Sequence, residues 1–384
     1  MENKVIDVAI IGGGASGTLA SIAIKKKYPT FHIVIFENNK KINKKLYATG
    51  NGKFNFSNTF DHFCDAYRRA GIVNNVLKEV SLSNMLDFLK EEIGIIPLNK
   101  NGYLYPMNES SETSAFLFNT ALLMNKVDII NDKIIKYKKN NRGFTLFSEK
   151  NSYECKKLIF ATGGRSSSQF GSDGSLFNEL IKHGYKIETL RPGLVPIRVK
   201  ENISLLDGVR RVCAIRLLKN DEPIYSEIGE VQFKKDGLSG IPILNISSLI
   251  ARNYSLDYKI EINLFPLCDK QEVINDLING NLKKGLYKYL NAKLSNYMYD
   301  LIKDGEIDIK NIFSISLSFI DFYPFENSDV TVGGVSFDNL DSYLMSNIEK
   351  DVYFIGEVVD QDGLCGGYNL SWAFLSALLV CKRI

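Results

Sequence analysis

The hydrophobic positions along the chain change period several times, and each change marks an element. Residues 5–11 (VIDVAII) form an almost unbroken β-branched run, the pattern of a strand buried on both faces. Three glycines follow, and then TLASIAIKKK, a helical stretch that stops near Pro29. A second apolar run, FHIVIF at 31–36, reads as another buried strand and ends on Glu37. Further along, VDIINDKIIKYKKNNRGFTLF alternates apolar and polar residues around a turn at 139–143, which predicts a small antiparallel sheet. LIFA at 158–161 and VYFIG at 352–356 are two more short buried strands, and an apolar helix beginning near Leu370 follows the second. From about 196 to 266 the alternation carries several turn signals (NDEP, KKDG, SG), which suits an antiparallel barrel or sandwich. Residues 268–312 have helical spacing and little β character.

Composition narrows this picture without naming a chemistry. At 384 residues the chain exceeds one compact core, so two or three lobes are expected. Its 47 basic and 44 acidic residues leave a net charge of +3, and the lysines are scattered, so no nucleic-acid partner is expected. The six cysteines lie far apart with no C-x-x-C, which reads as reduced thiols in the cytosol. The opening MENKVIDVAIIGGG carries acids at Glu2 and Asp7 and does not read as a secretory signal. No apolar stretch reaches the roughly 20 residues a membrane span needs. The expectation is a soluble cytoplasmic protein. His32, His62 and His183 sit in a strand, a polar linker and a helix end, so none is a strong acid–base candidate. There is no H-E-x-x-H, paired-cysteine or Asp/His cluster for a metal, and no G-x-S-x-G for a hydrolase.

The informative chemistry lies at the strand ends. Gly12, Gly13, Gly14, Ala15, Ser16 and Gly17 fit G-x-G-x-x-G between a strand and a helix. Gly12 permits the tight turn, Gly14 lets backbone approach a pyrophosphate, and Gly17 allows close helix–strand packing. The helix start adds free N–H groups and a positive dipole end. Glu37, twenty residues after Gly17, stands where a carboxylate accepts from ribose hydroxyls. This unit reads as dinucleotide binding and does not separate NAD from FAD. Two later features favour FAD. Ala161, Thr162 and Gly163 end a strand in A-T-G-G, and Gly356 and Glu357 end another. Gly366, Gly367, Tyr368 and Asn369 then open the helix near Leu370, presenting N–H groups to the negative edge of a reduced isoalloxazine.

Together these motifs resemble a family of bacterial flavoproteins known variously as NAD(FAD)-utilising dehydrogenases, aminoacetone oxidase family enzymes and bile-acid reductases of the BaiN/YhiN type. The matching residues are IIGGGASG (10–17), KKLYATGNGKFNFSN (44–58), GYLYPMNESS (102–111), LIFATGGRSS (158–167), GSDGSLFNELIKHGYKI (171–187), PGLVPI (192–197), GLSGIPIL (237–244), TVGGVSFDNLD (331–341) and YFIGEVVDQDGLCGGYNLSWAF (353–374). The resemblance implies an α/β fold, with a Rossmann-like FAD domain of the two-dinucleotide type built from 1–195 and 330–384. It also implies a β-barrel-like lobe at 196–266 and 313–329 and a helical lobe at 267–312, with the flavin ring where the lobes meet. Further cofactor contacts it implies are Asn38, Lys45, Gly52, Asn55, Lys133, Ile134 and Leu370. Asn58 reads equally as a turn cap, and Tyr103 and Tyr105 read as packing in a hairpin. Relatives carry Arg-Cys where this chain has Lys53-Phe54, Thr at Cys365 and Gln at Ser371. Lys53 lacks the bidentate fork of arginine.

The function these readings imply is a hydride-transferring oxidoreductase with non-covalent FAD and NADH or NADPH as electron donor. An amine oxidase that passes electrons to oxygen is the alternative within the class, and a flavin-binding redox sensor is the alternative outside it. The expected substrate is a small molecule, the chain a monomer or homodimer, and no residue is assigned as catalytic acid or base.

Overall fold

The computed structural model describes residues 5–384, which group into two compact units. One runs up to Arg191 and resumes at Val330; the other spans Pro192–Asp329. Elements are numbered along the chain.

The first unit is built on five parallel strands: β1 (Ile6–Ile11), β2 (Ile33–Phe36), β6 (Asp128–Ile130), β9 (Ser152–Phe160) and β18 (Val352–Phe354), in the order β6-β2-β1-β9-β18. The hairpin β7 (Lys136–Asn140) and β8 (Gly143–Phe147) pairs antiparallel with the first half of β9. The alternation around 139–143 predicts this hairpin. β1 and β2 are buried along almost their whole length, as their unbroken apolar runs require.

Helix α1 (Ala15–Lys27) packs against α10 (Tyr368–Cys381), so both chain ends contribute to one layer. Helix α10 is apolar on nearly every face because nearly every residue is buried. Its Phe374, Leu375 and Leu379 are fully buried, and each contributes roughly 1.5–3 kcal/mol relative to exposure. It begins at Tyr368, two residues before the position suggested by the apolar run. Around this core lie α2 (Ala70–Glu79), α3 (Leu82–Phe88), α4 (Ser111–Met124) and α5 (Phe177–Lys182). A small antiparallel sheet, β3 (Ser57–Asn58), β5 (Tyr103–Pro106) and β4 (Pro97–Lys100), and the pair β10 (Ile187–Gly193) and β17 (Val330–Val335) complete the unit.

The second unit is a closed barrel of β11 (Ile197–Val199), β12 (Arg210–Lys219), β13 (Glu222–Lys234), β14 (Gly237–Ser239), β15 (Tyr258–Asn263) and β16 (Ile315–Phe322). Barrel and sandwich are separated by β11, which pairs with β14 through Ile197↔Leu238 and with β16 through Ile197↔Phe322. Three residues show no periodicity, so the closing strand leaves no signal in the sequence. Helix α6 (Ile241–Arg252) follows β14. Helices α7 (Lys270–Ile278), α8 (Leu282–Tyr289) and α9 (Ala292–Lys303) bury Val273, Leu277, Leu286, Leu294 and Met298, the apolar stripe of the helical segment.

Candidate cofactor site

The sheet register brings the strand-end motifs to one level. Ile11 pairs with Phe36 and Phe160, and Phe160 pairs with Phe354, so these four residues form a row across the sheet. The residues that follow them are Gly12, Glu37, Ala161 and Ile355, the last leading into Gly356. All the predicted strand-end motifs therefore open at the carboxyl edge of a parallel sheet, where open α/β sheets bind ligands. The Ala161 N–H donates to Ile11 O at 2.8 Å, and the Ile355 N–H to Phe160 O at 2.9 Å.

The first glycine loop has different reasons for each glycine. Gly12 has φ of +108°, and a Cβ there would sit 2.3 Å from Ala161 O. A Cβ on Gly17 would sit 2.0 Å from Gly12 O. Protein packing thus accounts for both. Gly14 is extended (φ −87°, ψ −170°), and a Cβ there would meet nothing within 4 Å. No protein atom requires glycine at this position. What it keeps clear is the space in front of the α1 N-terminus, which no side chain caps and no acid shares. Ala15, like Gly14, is half-buried, whereas Gly13 and Ser16 are buried. The buried Ser16 side chain lies under Gly356, whose Cβ would approach Ser16 Oγ to 2.5 Å.

Glu37 is nearly buried and already engaged: Oε2 accepts from Gly13 N–H at 2.8 Å, and Oε1 from the Asn39 backbone N–H (2.8 Å) and Asn39 Nδ2 (2.7 Å). A carboxylate has about four lone-pair sites, so capacity for a further donor remains. Asn39 was not picked out from the sequence; its role shows only once the loop brings it back to the acid. Asn38 is exposed. Lys133 and Ile134 follow β6, whose Ile130 O accepts from Glu37 N–H at 3.0 Å, so the adenine segment of the resemblance lies at the same corner. Ile134 is buried, and Lys133 pairs at the surface with Asp173.

Lys45 and Glu357 meet although 312 residues separate them: Nζ lies 3.2 Å from Glu357 Oε2 and 3.3 Å from Ser166 Oγ. Glu357 Oε1 accepts from Ser166 Oγ–H at 2.6 Å and Thr331 N–H at 2.8 Å. Burial pushes this carboxyl up, but Lys45, the Ser166 hydroxyl and the Thr331 N–H outweigh it and hold it below the usual carboxylate range. Thr331 Oγ1 also accepts the N–H groups of Arg165 and Ser166. Ser166 and Thr331 escaped the sequence reading. Their only signal is their place inside the quoted segments LIFATGGRSS and TVGGVSFDNLD. Thr162 and Gly163, on the loop leading into Ser166, are half-buried.

The Gly366-Gly367 turn is cradled by the small sheet. Gly367 takes φ of +84°, and a Cβ there would lie 2.5 Å from Ser57 N. Asn58 Nδ2 donates to Gly366 O at 2.8 Å, which makes Asn58 a tie to the turn. With its amide nitrogen toward the backbone, Asn55 donates to Leu104 O and Ser57 O. Asn369 is spent on Gly363, accepting from its N–H at 2.9 Å and donating to its O at 2.8 Å. Leu364, Cys365, Gly366, Gly367, Asn369 and Leu370 are all half-buried, while Tyr368 is nearly buried. Like α1, α10 starts with no side-chain cap and no acid in its first turn. Gly52 is exposed, and its φ of +82° accounts for glycine there. Two uncapped, glycine-started helices, an acid at the β2 end and Gly14, which neither packing nor backbone conformation requires, fit FAD.

Fold and site together define an FAD-dependent oxidoreductase built on a Rossmann-type sheet. The chain belongs to the family of the HI0933-like protein Rossmann domain, whose model matches residues 6–383. Among its relatives, the 3-dehydro-bile acid delta(4,6)-reductase of Clostridium scindens is 28% identical, the alignment covering 97% of each chain. The ribosomal RNA dihydrouridine synthase of Escherichia coli is 26% identical over 97% of this chain and 96% of its own. The 3-ketosteroid delta1-dehydrogenase of Sterolibacterium denitrificans shares the fold with a TM-score of 0.55 at 11% identity, over 99% of both chains. Among the described residues no helix is long and apolar enough to cross a membrane.

Proposed function

We propose that this protein reduces a carbon–carbon double bond conjugated to a carbonyl, with FAD as the hydride carrier and NADH or NADPH as the electron donor. When bound, FAD would supply the two-electron redox chemistry that links the nicotinamide to the substrate. The protein's part is to bind and orient. The α1 N-terminus behind Gly14 would face the pyrophosphate, and Glu37 with the Lys133–Ile134 corner would face the adenosine. Lys45 with Glu357 would border the linker to the ring, and the α10 N-terminus behind Gly366-Gly367 would face the ring's electron-accepting edge.

The observation that carries the FAD assignment is Gly14, a glycine that no protein atom requires, at the mouth of an uncapped helix. The double-bond assignment rests on the relatives. A Δ4,6-reductase and a dihydrouridine synthase act on different molecules, and both reactions saturate a C=C bond next to a carbonyl. A small molecule is the substrate favoured here, because the net charge of +3 and scattered lysines offer no extended basic surface. Two relatives named as ribosomal RNA dihydrouridine synthases support a second reading, in which the same chemistry falls on a uracil base in RNA.

The test is anaerobic. Protein loaded with FAD is mixed with NADH or NADPH, then with 2-cyclohexen-1-one, a 3-keto-4-ene steroid or unmodified ribosomal RNA. Bleaching by a nicotinamide followed by return of the visible band with an unsaturated acceptor is the expected result. Reoxidation by RNA alone moves the assignment to the second reading. Bleaching by amines, with peroxide on admission of oxygen, overturns the proposal in favour of an oxidase.

A further inference from the structure

Helix α4 lacks the polar outer face that a surface helix normally has. Its inner face is set in the core, where Ser111, Ser114, Ala115, Phe118, Ala121 and Leu122 are buried. On the other side Glu112, Phe116, Asn119 and Leu123 recur at i, i+4, i+7 and i+11, which aligns them in one stripe along the helix. Phe116 is 63% exposed, Leu123 75% and the adjoining Met124 78%. Asn119 is half-buried and accepts from Asn43 Nδ2 at 3.0 Å. A helix at a protein surface usually turns charged and polar residues outward, yet Glu112 is the one charged residue of the fourteen in α4. The stripe ends in opposite charges. Glu112 is exposed in the first turn, Lys126 is exposed just beyond the last, and neither forms an ion pair with another described residue.

We infer that the outer face of α4 joins two copies of this chain, with the two α4 helices antiparallel across a two-fold axis. The inference does not depend on the reaction proposed above. A two-fold contact must be self-complementary: where one residue meets a second, the second meets the first. The stripe satisfies that condition. The midpoint between Phe116 and Leu123 and the midpoint between Glu112 and Lys126 both fall at Asn119–Thr120. A single axis there seats Phe116 of each copy on Leu123 of the other, and brings each Glu112 level with the other copy's Lys126. Parallel helices would instead set Glu112 beside Glu112 and Lys126 beside Lys126, like charge against like. The apolar residues supply the association, and the charges choose its direction. One acid and one base at opposite ends of an apolar middle also offer no basic field to a polyanion or an anionic membrane, so a second copy is the partner this face fits. Fourteen residues of helix are about 21 Å long, which places the contact among small interfaces.

The test is sedimentation equilibrium of full-length protein with FAD added. Wild type is compared with Phe116→Asp, Glu112→Lys, Lys126→Glu and the double reversal of Glu112→Lys with Lys126→Glu. All three positions are exposed, so the variants should keep the circular dichroism and melting temperature of the wild type. Wild type should dimerise with a Kd on the order of 10 μM, as suits a small interface. Phe116→Asp should raise that Kd at least on the order of 30-fold, because each copy then presses a carboxylate on an apolar partner. Each single reversal should raise it about tenfold, since the axis repeats the contact, and the double reversal should return it to within about threefold of wild type. Restoration is the result that a merely sticky surface would not give. Wild type that stays monomeric at roughly ten times the expected Kd overturns the inference, as does a dimer indifferent to Phe116→Asp. A double reversal no better than the single ones overturns the antiparallel pairing. Monomer that instead sediments with phosphatidylglycerol vesicles, and loses them in Phe116→Asp, overturns it in favour of a membrane-facing helix.

Discussion

Each unit of this chain has a helix that starts on glycine without a side-chain cap, α1 after Gly14 and α6 after Gly240, and the two glycines are there for different reasons. In the barrel unit Gly237 and Gly240 answer to the protein: a Cβ on Gly237 would lie 2.0 Å from Ile197 O, and one on Gly240, at the start of α6, would lie 2.1 Å from Glu230 O. Its helices α7, α8 and α9 are each closed by a side chain, with Asp269, Asn281 and Asn291 accepting the N–H groups of Glu272, Lys284 and Leu294. In the sheet unit Gly14, whose backbone is extended, faces open space at the start of α1, and α10 likewise begins without a cap. Orphan N–H groups at a helix start are normally satisfied by a cap, water or a ligand. The contrast teaches that a glycine motif indicates a ligand only where packing fails to explain it.

Gly14→Asp presses hardest on this comparison. Aspartate is a better N-cap than glycine and should stabilise α1 by about a few tenths of a kcal/mol, raising the melting temperature of FAD-free protein slightly. The same carboxylate fills the phosphate approach, so FAD affinity should fall at least on the order of 100-fold, about 2.7 kcal/mol. Calorimetric titration beside thermal melts checks the opposite signs; parallel loss of both would mean that Gly14 is structural after all.

Gly237→Ala is the counterpart in the barrel. Its new Cβ has only backbone to meet, so a destabilisation of about 2–3 kcal/mol is expected from urea unfolding. FAD affinity of the folded fraction should stay within about threefold of wild type, below 1 kcal/mol.

Lys45→Met sharpens the electrostatic side. A carboxyl held below its ordinary value contributes stability that is present above the unfolded pKa and lost as pH falls through the folded one. Glu357 should therefore support the wild type from neutral pH down into the acid range. Without Lys45 its burial is opposed only by the Ser166 and Thr331 hydrogen bonds, so the carboxyl should titrate at higher pH. Urea midpoints measured from neutral to acidic pH should fall off earlier in the variant, and identical profiles would remove Lys45 from the account.

Lys133→Ala should do least. Its pairing with Asp173 is at the surface, so stability should change by less than about 1 kcal/mol and FAD affinity by no more than a few-fold.

Much of this site was legible in the sequence because its parts are local. Strand, glycine turn, helix and terminal acid follow one another in residues 6–37, and the register of Ile11, Phe36, Phe160 and Phe354 then aligns the later motifs without further coding. What stayed hidden was non-local or silent. Ser166 and Thr331 carry no motif; they matter because the chain returns after more than 160 residues to place a hydroxyl and an N–H on Glu357. β11 is too short for periodicity, so barrel closure left no pattern. Tyr103 read as a packing residue in a hairpin, and only the docking of β3 against the Gly366 turn brings its ring edge to that turn.

The most direct test of the central claim is to reconstitute the purified protein with FAD, remove excess and measure bound flavin per chain. Gly14→Asp is treated identically in parallel. The account predicts a single FAD per wild-type chain, with a resolved visible flavin band, and almost none on the variant. Wild-type protein that retains no FAD, or a variant that retains as much, would contradict it.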